Sequence, residues 1–295
     1  MHTKIIDIHN HPNWYGHNID AIVNNMDKYG IEKTWLLSWE ISKEEFDIAP
    51  NYYQAMDPRD LCAPLWMVIE GLHKYPNRFI GGWAPDPRDR YVRAKVKAAV
   101  EIHDIKVYGE LKCRMRYDSP DAIAVFQYCA QLGLPVLFHL QYDKQVTNVF
   151  AKSINDWPEW YGGDISVVGT MCTLCPETKF IGHGPGFWQA ISAEDNDVVT
   201  HYPRGLVKQE GSLANLLRKH NNLYCDLSAN SGCKALDRDM QYAQKFLMEF
   251  QDRIMFGRDC FDGSQLDILK QLNLSENIAN KILYQNAEKM LGEYK

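Results

Sequence analysis

The chain has 295 residues, 45% hydrophobic and 24% charged, a composition able to bury a full globular core. Its formal net charge is −6 and no basic stripe is present, which argues against nucleic acid or an anionic membrane surface as a partner. The length suits two ordinary domains or one closed α/β barrel.

Short apolar runs alternate with longer amphipathic ones along the chain. The opening Met1-His2-Thr3 leads straight into a strand-like run, Lys4 to His9, with no apolar core or cleavage site of a secretion signal. A helix is predicted over Ile19 to Tyr29, where Ile22, Val23 and Met26 recur at helical spacing. Thr34 to Ser38 is the second strand, followed by a helix from Leu61 to Lys74 that Pro76 stops. Phe79 to Trp83 is the third, weakened by its glycines, before a helix over Arg90 to Glu101. Val107 to Cys113 is the fourth; Ser119-Pro120 then supplies a capping serine and a first-turn proline for a helix reaching Leu132. Pro135 to His139 and Phe180 to His183 are the fifth and sixth strands. Leu213 to Lys219 and Asp237 to Phe250 are helical and precede the last strands, Leu223 to Asp226 and Ile254 to Gly257. Ser275 caps a closing helix that runs to Leu291.

The strand-like runs are apolar throughout rather than alternating, as befits strands covered on both faces. Repeated strand–helix alternation predicts an α/β fold, a TIM-type (β/α)8 barrel formed as a single domain over 1–295. An open doubly wound sheet would want a glycine-rich turn after the first strand, and none is there. No apolar run approaches the roughly 20 residues of a membrane span. A cytoplasmic protein with reduced thiols is therefore expected, and Cys172-x-x-Cys175 reads as two small apolar residues on a helix ending at Pro176. Two long connections, about Gln141 to Asp164 and Trp188 to Gly211, read as functional lids or interaction surfaces. A homodimer is the one protein partner left open.

Polar residues end several of the apolar runs. His9 and His11, in Asp7-Ile8-His9-Asn10-His11-Pro12, are two apart at a strand end, so both imidazoles can reach one point. His139 ends the fifth strand and His183 the sixth, while Asp259 follows the eighth in Phe256-Gly257-Arg258-Asp259-Cys260. Barrel active sites lie at this C-terminal rim. Neutral imidazole suits zinc and other borderline metals. Glu110 and Lys112, also two apart, share a face of the fourth strand. Glu110 is a candidate further ligand, or half of an internal Glu–Lys pair in which Lys112 binds a substrate carboxylate.

Trp14 is a candidate substrate wall on the first loop, and Tyr15 beside it reads the same way. Asp226 and Ser228 either line the pocket or cap the next helix. His2, His17, His73, His103, His201 and His220 end no apolar run and read as surface or helix-flank residues; His201, on the long sixth connection, is the one worth testing.

This ordered set resembles the amidohydrolase superfamily, and more narrowly its amidohydrolase 2 group of hydrolases, lactonases, hydratases and decarboxylases. The similarity runs from Asp7-Ile8-His9-Asn10-His11 to Asn286-Ala287-Glu288-Lys289-Met290-Leu291. The resemblance implies that His9, His11 and His139 bind one divalent metal, expected to be zinc, with Asp259 as a further ligand; a second metal stays open, with Lys112 carboxylated and bridging as in the superfamily's binuclear branch. It implies that Asp259 accepts a proton from water and that His183 orients water or substrate. Arg258 departs from the group, where a smaller residue often stands, and a cation there suits an anionic substrate unless its side chain turns away from the lumen. The expected activity is hydrolysis of a small carboxylated or cyclic substrate. The alternative is non-oxidative decarboxylation of an aromatic or muconate-like acid at the same site.

Overall fold

A computed structural model describes residues 4–40, 63–141, 161–194 and 202–292. Leu61, Cys62, His2, His201, residues 142–160 of the first long connection and 195–201 of the second lie outside the described residues. The predicted apolar runs form β1 (Ile6–Asn10), β2 (Lys33–Leu37), β3 (Phe79–Gly82), β4 (Tyr108–Leu111), β5 (Val136–His139), β6 (Phe180–His183), β7 (Leu223–Asp226) and β8 (Ile254–Met255). They pair in parallel and in sequence order, β1-β2-β3 and β4-β5-β6-β7-β8. Backbone hydrogen bonds join the two sheets at both seams: Trp83 N donates to Val107 O at 2.9 Å, and Ile8 N to Phe256 O at 3.0 Å. The architecture is the TIM-type barrel the alternation predicts.

Local signals place the outer helices. Helix Ile19–Tyr29 ends at Gly30, whose φ of 68° is the left-handed stop that glycine adopts without strain. Ser119 accepts from Ala122 N with Pro120 in the first turn, and Ser275 accepts from Ile278 N. Helices Ala229–Asp237 and Ser264–Gln271, which follow β7 and β8, carry no clear apolar stripe in sequence and are seen only in the structure. Cys172 and Cys175 are buried free thiols, pushed up to about 12 and about 11 chiefly by burial, so they are inert packing residues. Among the described residues no helix is long and apolar enough to cross a membrane.

Two hydrophobic layers result. The larger fills the space between strands and helices. The smaller fills the lower lumen with Ile6, Ile8, Leu37, Val107, Leu137 and Ile181, closed from below by Ala287 and Met290. β1 and β4 each gain one residue against their neighbours. Asp7 pairs with Thr34 but Asn10 with Leu36; Tyr108 pairs with Val136 but Leu111 with Phe138. Simple alternation from the inward Ile8 would turn His9 and His11 outward, and from the inward Val107 it would turn Glu110 outward. The extra residue re-aims each strand so that apolar and polar residues face the same lumen in succession.

Candidate metal centre

His9 and His11 are both buried, and each has its Nδ1 tied down. His9 Nδ1–H donates to Asp226 Oδ2 at 2.7 Å, and His11 Nδ1–H donates to Leu37 O at 3.0 Å. In the neutral rings both Nε2 atoms would present lone pairs to the lumen, only 3.2 Å from each other. Glu110 Oε2 lies 3.9 Å from His9 Nε2 and 3.4 Å from His11 Nε2. Asp259 Oδ1 lies 4.0 and 3.6 Å from the same two nitrogens, and it is buried without a hydrogen-bond partner among the described residues. Four donors on a tetrahedral ion with bonds of about 2.0–2.2 Å stand roughly 3.3–3.6 Å apart. Two bare imidazole nitrogens and two carboxylate oxygens at these separations repel one another unless a cation lies among them. The residues present fit a divalent metal.

A second donor set shares Glu110. Its Oε1 lies 3.0 Å from His139 Nδ1 and 3.7 Å from His183 Nε2. His139 Nε2 stands 3.1 Å from Gln141 Oε1, so a neutral ring has one proton to give either to that oxygen or, from Nδ1, to Glu110 Oε1. The four histidines predicted from sequence thus converge in three overlapping donor sets: His9, His11 and Glu110; Glu110, His139 and His183; and His9, His183 and Asp259. His139 faces the set containing His183 rather than the one containing His9 and His11. Glu110 links the first two, one oxygen to each.

Asp226 and Ser228, ambiguous in the sequence, fix the orientation of this assembly. Asp226 is fully buried, yet its carboxyl is held well below the usual carboxylate range: burial opposes ionisation, but the His9 charge and hydrogen bonds from His183 and His9 outweigh it. Ser228 Oγ stands 2.7 Å from Asp226 Oδ2 and 2.7 Å from His183 Nδ1. The hydroxyl has one proton and an ionised carboxylate can only accept. Ser228 therefore donates to Asp226 and accepts from His183 Nδ1–H, which directs the His183 Nε2 edge inward. One carboxylate sets the tautomer of two imidazoles. Gly257 makes room for it, since a Cβ there would stand 2.3 Å from Asp226 Oδ1.

Charge in the cluster is strongly coupled. Burial raises the Glu110 carboxyl, but the Lys112 charge and then the neighbouring His11 and His139 imidazoles hold it well below its ordinary value. Burial also opposes a charge on His9, but Asp259, Asp226 and Glu110 raise it to about 9, so without metal a proton sits where a cation would. His139 is lowered to about 3, first by burial and then by the Lys112 charge, and stays neutral.

The remaining candidates divide. Lys112 is buried at the rim of a cavity of about 680 Å³ that His139, His183 and Asp259 also line, its Nζ 3.9 Å from the centre of the Trp39 ring. Trp14 lines the same cavity and donates its indole N–H to Asp259 O at 3.0 Å, so it also pins the Asp259 loop. Asp259 itself sits at a φ of 51°, a left-handed conformation that aspartate tolerates better than most residues. Arg258 corrects the expectation of a substrate contact. It is fully buried in the barrel wall, its Nε bonded to Asp7 Oδ2 at 2.8 Å and its Nη1 to Asn25 Oδ1 at 2.7 Å. Asp259, the next residue, takes the cavity side instead. His17, read as a surface residue, lines the cavity and stacks on Phe261 at 3.7 Å, while His220 is buried.

The family model described as amidohydrolase matches residues 6–292. The chain belongs to the amidohydrolase family. No curated protein matches it. Among solved structures, this amidohydrolase is similar to 5-carboxyvanillate decarboxylase from Sphingomonas paucimobilis, at 14% identity and a TM-score of 0.61, covering 98% of this chain and 99% of that one. A dihydroxybenzoic acid decarboxylase from a Polaromonas species, with bound manganese, gives 14%, 0.59, 99% and 98% in the same order. A probable 2-pyrone-4,6-dicarboxylic acid hydrolase from Acinetobacter baumannii gives 13%, 0.58, 98% and 99%. At such identities the likeness shows the barrel fold.

Proposed function

We propose that residues 1–295 act as one domain, a metal-dependent hydrolase of a small carboxylated or cyclic substrate. The observation that carries this reading is Glu110, with one carboxylate oxygen on each of two donor sets. His9, His11, Glu110 and Asp259 would hold one divalent cation, and Glu110, His139 and His183 a second; zinc is the first ion to test. When bound, such cations supply Lewis acidity and make water nucleophilic at neutral pH. Asp259 Oδ2, 3.8 Å from His183 Nε2, is placed to accept the proton that the attacking water loses. Lys112 steers the substrate carboxylate from the rim. Trp14 and Trp39 exclude bulk water beside it.

Non-oxidative decarboxylation is the second reading, favoured by the names of two of the similar structures, which are decarboxylases. Elemental mass spectrometry of protein purified without chelator should find about two divalent ions per chain, and Glu110→Gln should retain about one or fewer. A panel of lactones, amides and aromatic acids should yield hydrolysis products, with turnover in Glu110→Gln down more than about 100-fold. Release of carbon dioxide without consumption of water selects the decarboxylase. A full metal complement and turnover in Glu110→Gln would remove Glu110 from the centre.

A further inference from the structure

Arg258 and Asp7 form an ion pair in the barrel wall, both side chains fully buried and Nε 2.8 Å from Oδ2. Arg258 Nη2 has no hydrogen-bond partner among the described residues. A buried pair of this kind contributes little more to stability than apolar residues of the same volume. Its place in the chain accounts for it better. Asp259 follows Arg258 directly, and the Asp7 carboxylate also holds the backbone of His9.

Asp7 Oδ1 accepts from His9 N at 3.2 Å and from Arg258 N at 2.9 Å. One carboxylate thus ties β1 to the backbone that enters the Asp259 loop. Arg258 Nη1 donates to Asn25 Oδ1 at 2.7 Å, and Asn25 Nδ2 donates to Phe261 O at 2.8 Å. Asn25 therefore grips the loop on both sides of Asp259. The guanidinium lies over the Tyr29 ring, with Cζ 5.5 Å from its centre. Asn25 and Tyr29 both belong to the helix Ile19–Tyr29, so an outer helix reaches through the wall to this loop. Asn10 Nδ2 adds a bond to Cys260 O at 2.9 Å.

The loop needs holding. Asp259 has a φ of 51°, a region that residues other than glycine seldom adopt. Its Oδ1 is buried without a donor among the described residues, which is unfavourable for a carboxylate. That oxygen stands 3.6 Å from His11 Nε2, and Glu110 brings a like charge to 3.4 Å from the same nitrogen. A free loop would relax by swinging Asp259 toward the open cavity. We propose that Arg258, clamped between Asp7 and Asn25, is a positioning residue that keeps Asp259 at the cluster before an ion is bound. The ion then meets a ligand already ordered, which raises affinity. This deepens the proposed metal centre and rests on the reading of Asp259 as one of its ligands.

The test uses the full-length chain with zinc alone as the probe, its affinity read by competition against a chelator. Arg258→Lys keeps a cation beside Asp7 but cannot bond Asp7 and Asn25 from one planar group. It should lower affinity for an ion about 10–100-fold while the metal-free Tm falls by less than about 5 °C. Asn25→Ala, on the outer helix, should lower it in the same direction by about threefold or more. In an Asp259→Ala background neither substitution should change affinity by more than about twofold, because the residue they position is gone. The visible absorption of cobalt-loaded Arg258→Lys should shift toward that of cobalt-loaded Asp259→Ala. Equal losses in both backgrounds make Arg258 a structural group and overturn the proposal. So does wild-type affinity in either single variant, and Asn25→Ala decides if Arg258→Lys does not fold. Wild-type affinity in Asp259→Ala itself instead removes Asp259 from the ligands and overturns the underlying reading.

Discussion

Where Ile6, Ile8, Leu137 and Ile181 meet, the barrel lumen is sealed by apolar contact; further along the same strands His9, His11, His139 and His183 meet instead, and the lumen fills with ionisable groups. The lower half is held by non-directional burial, so each side chain contributes on its own. The upper half is held by directed bonds in which Asp226 serves two imidazoles and Glu110 serves two donor sets. The difference separates what keeps the protein folded from what arms the site. If the halves are independent, a substitution in one should leave the other's property intact.

The largest expected effect is in the lower half. Leu137 is fully buried there, and Leu137→Ala should cost about 2–5 kcal/mol of stability by denaturant titration. Its metal affinity should stay within about twofold if the two halves act additively. Loss of metal along with stability would break the comparison. In the upper half, Asp226→Asn replaces a carboxylate that only accepts with an amide that must turn one donor toward His9 or Ser228. Metal affinity, measured by competition with a chelator, should fall about 10–100-fold. An unchanged affinity would mean that the two tautomers are set by something else.

The last effect concerns pH. In the metal-free protein His9 is raised from 6.5 to about 9, so its proton-linked stabilisation is fully present below 6.5 and is lost as pH rises through about 9. A metal must displace that proton. Apparent affinity should therefore climb by up to about tenfold per pH unit between neutrality and about 9, with a growing metal-induced rise in Tm. A flat profile would place the proton elsewhere.

The strands and most helices were legible because apolar periodicity and caps such as Ser119-Pro120 are local signals. The convergence of His9, His11, His139, His183 and Asp259 was legible because each interrupts an apolar run at its C-terminal end. Their partition was not. It depends on which oxygen of Glu110 faces which ring, and on one extra residue in β1 and in β4, and neither leaves a mark in residue type. The direction of Arg258 was equally hidden, since Asp7 and Asn25, more than two hundred residues away in sequence, are what hold it.

The seam between β1 and β8 has a consequence for biosynthesis. Ile8 N reaches Phe256 O, Asp259 N reaches His9 O at 2.8 Å, and His9 leans on Asp226. The histidines made first by the ribosome thus wait for acidic partners made last. A nascent chain stalled before Asp226 holds His9 without the carboxylate that orients it. The seam that sets His9 is therefore complete only once translation has passed Asp259 and the ring can close.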